Sequence, residues 1–277
     1  YRSCDRRVRP RAGQAKDGDM SVLFEVSNHV ARVTIDRPTR MNAIDSATSL
    51  ALEDAWCRIE QDPDIRCVVL TGAGDRAFSA GADLKENNGL SGVDYWTAAL
   101  PNGFGGIALR KSLTTPVIAR VNGLALGGGL EMVLGCDIVI AADTARFGLP
   151  EAKVGNLPLA GGMTLLQRAV PRNIAVGMMM TGRMAPASEM AAYGLVNAVV
   201  PAAELDAEVD RWVADLAASA PLCLRAIKAT VRHTGHLPPE QAQAVSTPEL
   251  MAALTSEDSD EGTLAFREKR PPVWRGR

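Results

Sequence analysis

Apolar residues recur along the chain with two different periods, and each period predicts its own kind of element. The alternating runs "SVLFEV" (21–26) and "HVARVTI" (29–35), joined around "SNH", predict a β-hairpin. Three continuous apolar runs predict buried strands, namely "RCVVLTG" (66–72), "PVIARVNG" (116–123) and "CDIVIAAD" (136–143). Strand, loop and helix follow one another repeatedly, which indicates an α/β layered fold with parallel strands.

Helical spacing appears once near the start of the chain and then dominates its end. Asp45 can cap a helix that begins near Ser46. The apolar face of that helix would comprise Leu50, Leu52, Ala55, Trp56 and Ile59. From about Arg172 onward, apolar positions recur at helical spacing, and the one short strand predicted there is "LVNAVV" (195–200).

The pattern divides the chain into three parts. Residues 1–19 are rich in arginine and lack periodicity, so we expect a disordered N-terminal extension. Residues 20–200 form the predicted α/β core, and residues 201–277 form a helical C-terminal region.

Composition narrows the class of protein. The net charge is −2, which favours neither nucleic acid nor an anionic membrane as a partner. No apolar run approaches the roughly 20 residues that a membrane-spanning helix needs. The five cysteines are scattered without a CxxC pair, which is typical of reduced thiols. We therefore expect a cytoplasmic protein with no nucleic-acid or membrane partner.

Several common chemistries lack their motifs. The three histidines form no HExxH motif and no Cys/His cluster, so we expect no metal site. A GxSxG motif is missing, which argues against a serine hydrolase. The glycine-rich run "GLALGGGLE" (123–131) is neither GxGxxG nor a phosphate-binding loop, because the lysine and the following Ser/Thr are missing.

Two glycine-rich segments follow predicted strands, "AFSAGADL" (77–84) and "NGLALGGGLE" (122–131). Ligand sites in layered α/β folds gather where strands end, and two peptide N–H groups from such loops can converge on one oxygen as an oxyanion hole. Glu131 stands beside this loop, and Glu151 follows after one strand and a turn, so the two carboxylates could face each other. Paired carboxylates near an apolar pocket can act as acid and base. The alternative is that Glu131 only favours a helix start and Glu151 is a surface residue.

Four ordered motifs resemble the enoyl-CoA hydratase/isomerase family, the crotonase superfamily. They are "AFSAGADLKE", "VNGLALGGGLEMVLGCDIVIA", "ARFGLPEAKVG" and "LTSEDSDEGTLAFREKR". The resemblance implies a spiral of repeated ββα units with a helical C-terminal trimerisation region. It also implies an acyl-coenzyme A thioester as substrate, with homotrimers or dimers of trimers.

The resemblance assigns roles to individual residues. The peptide N–H groups of Ala80 and Gly128 would hold the thioester oxygen, and Glu131 and Glu151 would hold and activate water. The predicted coenzyme A contacts are Arg40, Ala80, Ala82, Asp83 and Leu84, together with Phe266 and Lys269, which match residues that reach a neighbouring subunit's coenzyme A site.

The presence of both glutamates favours water addition or elimination. The expected reaction is reversible syn hydration of a 2-enoyl-CoA to a 3-hydroxyacyl-CoA, with no metal or redox cofactor. The tail also resembles carnitinyl-CoA dehydratases, which carry out the same chemistry on a carnitine-derived acyl group. An enoyl-CoA isomerase, or a non-catalytic member that binds acyl-CoA or RNA, remains an alternative. Leu159 stands where hydratases often carry glycine.

Overall fold

The computed structural model describes residues 21–85, 92–97 and 101–277, so the extension expected over residues 1–19 lies outside the described residues. The strands are β1 Val22–Ser27, β2 Val30–Ile35, β3 Cys67–Gly72, β4 Ala77–Ser79, β5 Val117–Val121, β6 Leu124–Leu126, β7 Ile138–Ala142, β8 Arg146–Gly148, β9 Met184–Pro186 and β10 Ala198–Val200. The α-helices are α1 Ser46–Gln61, α2 Gly92–Thr97, α3 Gly128–Leu134, α4 Gly162–Ala169, α5 Arg172–Thr181, α6 Ala187–Ala192, α7 Leu205–Ala217, α8 Pro221–Thr234, α9 Pro239–Gln243, α10 Pro248–Leu254 and α11 Glu257–Glu268. Short 3₁₀ turns occupy Pro38–Arg40, Phe104–Gly106, Glu151–Val154 and Ala202–Glu204.

Two sheets share these strands. Within the described residues, six strands form a larger sheet in the order β1-β2-β3-β5-β7-β10, and four form a smaller sheet in the order β4-β6-β8-β9. The β1–β2 hairpin is antiparallel, while β2, β3, β5, β7 and β10 run parallel. Each of the pairs β3–β4, β5–β6 and β7–β8 places its first strand in the larger sheet and its second in the smaller one. The expected α/β fold with parallel strands is confirmed.

The larger sheet is covered on both faces, which explains its continuous apolar runs. One face packs into the main core, which includes Leu70, Ala119 and the fully buried Trp56 of α1. The other face, with Val69 and Ile118, packs against Leu205 and Val209 of α7. Burial on both sides is the physical reason that these strands do not alternate in polarity.

Helix α1 begins and packs much as its sequence predicts. The Asp45 carboxylate accepts a hydrogen bond from the Thr48 peptide N–H at 2.8 Å, which satisfies one of the unpaired donors of the first turn. Leu52, Ala55, Trp56 and Ile59 are buried. The prediction was wrong for Leu50, whose side chain is 63% exposed, because it lies outside the buried stripe of the helix.

We expect Asp45→Ala to lower the free energy of unfolding by about 1–2 kcal/mol, since the variant loses the N-terminal cap of α1. It also loses the ion pair between Asp45 and Arg37, whose atoms lie 2.6 Å apart. Urea denaturation at a fixed protein concentration measures the change. Asp45→Asn keeps the capping oxygen and should lose less. An Asp45→Ala variant as stable as the wild type would contradict the role of the cap.

Two further expectations can be compared with the fold. Among the described cysteines, Cys67, Cys136 and Cys223 are free, whereas Cys57 is disulfide-bonded, so the prediction of reduced thiols was wrong for Cys57. No helix in the described part of the chain combines the length and apolar character needed to cross a membrane.

Candidate functional site

The carboxyl ends of three neighbouring parallel strands meet at one edge of the smaller sheet. Strand β6 pairs with β4 on one side and with β8 on the other. The loop after β4 carries Ala80 and Ala82, the turn after β6 leads into α3 with Gly128 and Glu131, and the turn after β8 carries Glu151. Ligands bind at such edges in α/β folds, so this edge is the candidate functional site.

The glycines between β6 and α3 allow close approach at this edge. Gly127 has φ +55°, a left-handed conformation that favours glycine, and a Cβ there would lie 3.0 Å from Glu151 Oε1. A Cβ at Gly128 would lie 2.4 Å from the ring of Phe104. The turn therefore brings the start of α3 against both Phe104 and the Glu151 carboxylate.

The structure corrects the predicted role of Ala80. Its peptide N–H donates to the Met41 carbonyl at 3.0 Å, so this donor is already used within the protein. The following N–H, that of Gly81, donates to the Ser79 hydroxyl at 3.2 Å, and the N–H of Asp83 donates to the Ile44 carbonyl at 2.9 Å. Ala80 is thus unsuited to hold a substrate oxygen.

Within the described part of the chain, Ala82 has a free peptide N–H, whereas that of Ala80 is already bonded. Among the described residues, the peptide N–H groups of Ala82 and Gly128 have no hydrogen-bond partner. A Cβ on Gly81 would lie 2.9 Å from the nitrogen of Gly128, so the loop after β4 approaches the turn after β6 at Gly81. The two unpaired N–H groups thus stand on two loops that approach each other, an arrangement that an oxyanion hole requires.

Sequence reasoning missed this assignment and placed Ala82 only among the coenzyme A contacts. No local signal distinguishes the two alanines, because each stands next to Gly81 in "SAGAD". The distinction depends on Met41 and Ile44, which lie about 40 positions earlier and take up the donors on either side.

Glu131 is a buried carboxylate in the first turn of α3. It is 3% exposed, and its Oε1 accepts a hydrogen bond from the Gly162 N–H at 2.8 Å. Burial raises the pKa of Glu131 to about 7, and the charge of Glu151 adds to this rise, while the peptide groups of Gly162 and Ala160 oppose it. Glu131 can therefore exchange a proton near neutral pH.

Glu151 opens the 3₁₀ turn after β8. Burial raises the pKa of Glu151 above its usual 4.5, and its Oε2 is buried without a hydrogen-bond partner among the described residues. The two glutamates are close enough for the charge of one to raise the pKa of the other. Such a pair favours one shared proton over two charges.

The residues predicted to contact coenzyme A lie in different parts of the structure. Arg40 is exposed in the 3₁₀ turn Pro38–Arg40, and Leu84 is 80% exposed beside Ala82. Phe266, which is 86% exposed, and Lys269 lie at the end of α11. Among the described residues, neither Phe266 nor Lys269 forms a hydrogen bond or an ion pair with Glu131 or Glu151.

The side chain of Asp83 has a structural partner that sequence reasoning missed. Its carboxylate is largely buried and lies 3.1 Å from the guanidinium of Arg37, which also binds Asp45. We therefore assign the Asp83 side chain to holding the loop after β4 and not to ligand binding. Arg37 ties this loop to the N-terminus of α1.

A cavity of about 230 Å³ opens next to this edge, and none of its described lining residues is charged. Its wall includes Leu159 and Ala160, which precede the Gly162 N–H that binds Glu131, and Met163, which follows it. The cavity therefore borders the segment that holds Glu131.

The chain matches known proteins over most of its length. The family model described as "Enoyl-CoA hydratase/isomerase" matches residues 25–277. The carnitinyl-CoA dehydratase of Escherichia coli (strain K12) is 41% identical over 254 residues, covering 90% of this chain and 95% of that protein. The carnitinyl-CoA dehydratase of Salmonella typhi is 40% identical over 254 residues, with the same coverage.

Solved structures of enoyl-CoA hydratases share the fold of this chain. The enoyl-CoA hydratase from Bacillus anthracis superposes with a TM-score of 0.85 at 31% identity, covering 93% of this chain and 100% of that one. The enoyl-CoA hydratase from Mycobacterium tuberculosis H37Rv gives 0.83 at 31% identity, covering 93% and 99%. The crotonase-like fold that the four motifs implied is confirmed, and the chain belongs to the enoyl-CoA hydratase/isomerase family.

Proposed function

We propose that the protein is a hydro-lyase that adds water reversibly, in syn fashion, to a 2-enoyl-CoA and yields a 3-hydroxyacyl-CoA. One observation carries the proposal: two unpaired peptide N–H groups, the buried Glu131 carboxylate and the half-buried Glu151 carboxylate occupy three adjacent strand ends. The first pair can stabilise an enolate oxygen, and the second pair can move the protons that water addition requires.

The N–H groups of Ala82 and Gly128 would bind the thioester oxygen. As water attacks C3, negative charge develops on that oxygen, and two fixed donors stabilise the charge without reorganising. Activation of the thioester in this way needs no metal or redox cofactor. The coenzyme A portion would lie along Arg40, Ala82 and Leu84, and coenzyme A enters only as part of the substrate.

Glu131 and Glu151 would share one proton in the active form. The ionised carboxylate takes a proton from water as its oxygen bonds to C3, and the protonated one gives its proton to C2. One proton is gained and one is lost, so the pair again holds one proton, with the two roles exchanged. The reverse reaction then uses each glutamate in the other role.

Activity should depend on pH as a bell-shaped curve. The active pair carries one proton, and the pKa of about 7 at Glu131 marks loss of that proton. We expect kcat/KM to fall about tenfold for each pH unit above this pKa, and to fall again at acidic pH once both carboxyls are protonated. Initial rates with crotonyl-CoA from pH 4 to pH 10 test this. A flat profile would contradict a shared proton.

Incubation of the purified protein with crotonyl-CoA tests the function itself. Formation of 3-hydroxybutyryl-CoA, identified by mass spectrometry, supports a hydratase. Conversion of a 3-enoyl-CoA to a 2-enoyl-CoA without water addition would instead indicate an isomerase, and tight binding without turnover a non-catalytic member. Dehydration of a carnitine-derived CoA ester is a second candidate activity, which the 41% identity to carnitinyl-CoA dehydratases favours.

We further propose that the protein assembles into homotrimers or dimers of trimers through residues 201–277. The helices of this region leave apolar side chains in water, among them Ile227 and Val231 of α8, Leu254 of α10 and Phe266 of α11. A second copy of the chain would cover them, and Phe266 and Lys269 would reach its coenzyme A site. Light scattering coupled to size-exclusion chromatography tests the assembly.

A further inference from the structure

The described lining of the cavity beside Glu131 is uncharged. Its described lining consists of Trp96, Leu109, Pro158, Leu159, Ala160, Gly161, Met163 and Thr164, and no charged side chain stands among them. It lies next to the Glu131 carboxylate, since a Cβ on Gly162 would lie within 2.6 Å of Pro158 and 3.1 Å of Glu131 Oε1. A chain extending from C3 of a substrate held at Glu131 would enter this cavity.

The cavity is small. Apolar cavities of about 150 Å³ admit benzene, and sites for drug-sized ligands measure roughly 300–1,000 Å³. At about 230 Å³, this cavity suits a group of a few carbons or one small ring.

Leu159 forms part of the wall and directly precedes Ala160, whose peptide group contacts Glu131. Among the described residues, it is absent from those with positive φ, so the backbone here suits leucine without strain. What leucine adds, relative to glycine, is therefore a half-buried side chain that occupies part of the cavity.

We propose that this cavity selects short, uncharged, apolar acyl groups, and that Leu159 sets its upper size limit. The inference rests on the proposed function, because it takes an acyl-CoA as the ligand. A carnitine-derived acyl group carries a trimethylammonium cation. Among the described lining residues, Trp96 is the one aromatic side chain and none has a carboxylate to pair with that cation. The wild type should therefore discriminate against it.

Binding of saturated acyl-CoAs tests the proposal without requiring turnover. Isothermal titration would compare butyryl-CoA, decanoyl-CoA and 4-(trimethylammonio)butanoyl-CoA. We expect the wild type to bind butyryl-CoA at least about tenfold more tightly than each of the other two, because a methylene that fits poorly in an apolar pocket changes affinity about 10- to 200-fold. A preference for the trimethylammonium ester would overturn the charge assignment.

Variants of the wall then test the size limit. Leu159→Ala should raise the affinity for decanoyl-CoA, relative to that for butyryl-CoA, by about tenfold or more. Met163→Ala should change this affinity ratio in the same direction, whereas Leu159→Trp should weaken binding of both ligands. Leu157→Ala is the matched control, since Leu157 is on the same loop but is 59% exposed and outside the lining. An unchanged ratio in Leu159→Ala and Met163→Ala would overturn the proposal. A wild type that binds butyryl-CoA selectively but has no hydratase activity would instead refute the proposed function alone.

Discussion

Replacing Glu131 or Glu151 by glutamine, one at a time, is expected to lower kcat for water addition to crotonyl-CoA by about 10²- to 10⁴-fold. Glutamine matches the shape of glutamate and accepts the Gly162 hydrogen bond, but it neither takes a proton from water nor gives one to C2. Each single change therefore removes one half of the proton transfer. Stopped-flow or steady-state rates on the purified variants measure the loss.

Glu131→Gln should raise the stability of the folded protein even though it lowers kcat. Because the pKa of Glu131 is raised from 4.5 to about 7 in the folded protein, folding favours the protonated carboxyl. This contribution is fully present below about pH 4.5 and is lost as pH rises to about 7. At pH 8, Glu131→Gln should thus be more stable than the wild type by up to about 3 kcal/mol, at ~1.4 kcal/mol per pKa unit. At pH 4.5 the two proteins should unfold at similar temperatures.

Glu189→Gln is a suitable control for both measurements. Glu189 is a surface glutamate that pairs with Arg183 at 3.3 Å, so its loss should leave kcat unchanged and stability nearly so. Near-normal hydration by Glu131→Gln or Glu151→Gln would refute the assignment of two glutamates. Loss of activity together with a lower melting temperature at pH 8 would refute the view that Glu131 is held at a cost to stability.

The parts of this molecule that the sequence predicts well are those governed by burial over several consecutive residues. Strands β3, β5 and β7 are buried on both sides, so each appears as an apolar run. Glu131 and Glu151 were predicted to face each other because one strand and a turn separate them in the sequence, and the strands that precede them, β6 and β8, are neighbours in the sheet.

The smaller sheet is harder to predict. Its strands β4, β6, β8 and β9 are three residues each, too short for a period of two to be recognised. The choice between Ala80 and Ala82 also escapes local analysis, because Met41 and Ile44 decide it from another segment. Likewise, no local signal shows that the Asp83 carboxylate pairs with Arg37, because the two residues are 46 positions apart.

The second large effect concerns this choice between the two alanines. Ala82→Pro removes the N–H that is free for the substrate oxygen, and we expect kcat on crotonyl-CoA to fall about 10²- to 10³-fold, the usual cost of one oxyanion-hole donor. The flanking hydrogen bonds, Ile44 N–H to the Gly81 carbonyl and Asp83 N–H to the Ile44 carbonyl, use other atoms and can persist. Circular dichroism and the melting temperature check that the fold is retained.

Ala80→Pro is the matched control, since it removes a neighbouring N–H of a different kind. That N–H is bonded to the Met41 carbonyl, so its loss should lower the free energy of unfolding by about 1–3 kcal/mol and leave the rate per folded molecule much closer to that of the wild type. The two prolines thus separate catalysis from stability within one loop. If Ala80→Pro were the inactive but stable variant and Ala82→Pro the active one, the oxyanion hole would consist of Ala80 and Gly128, and the free Ala82 N–H would have no catalytic role.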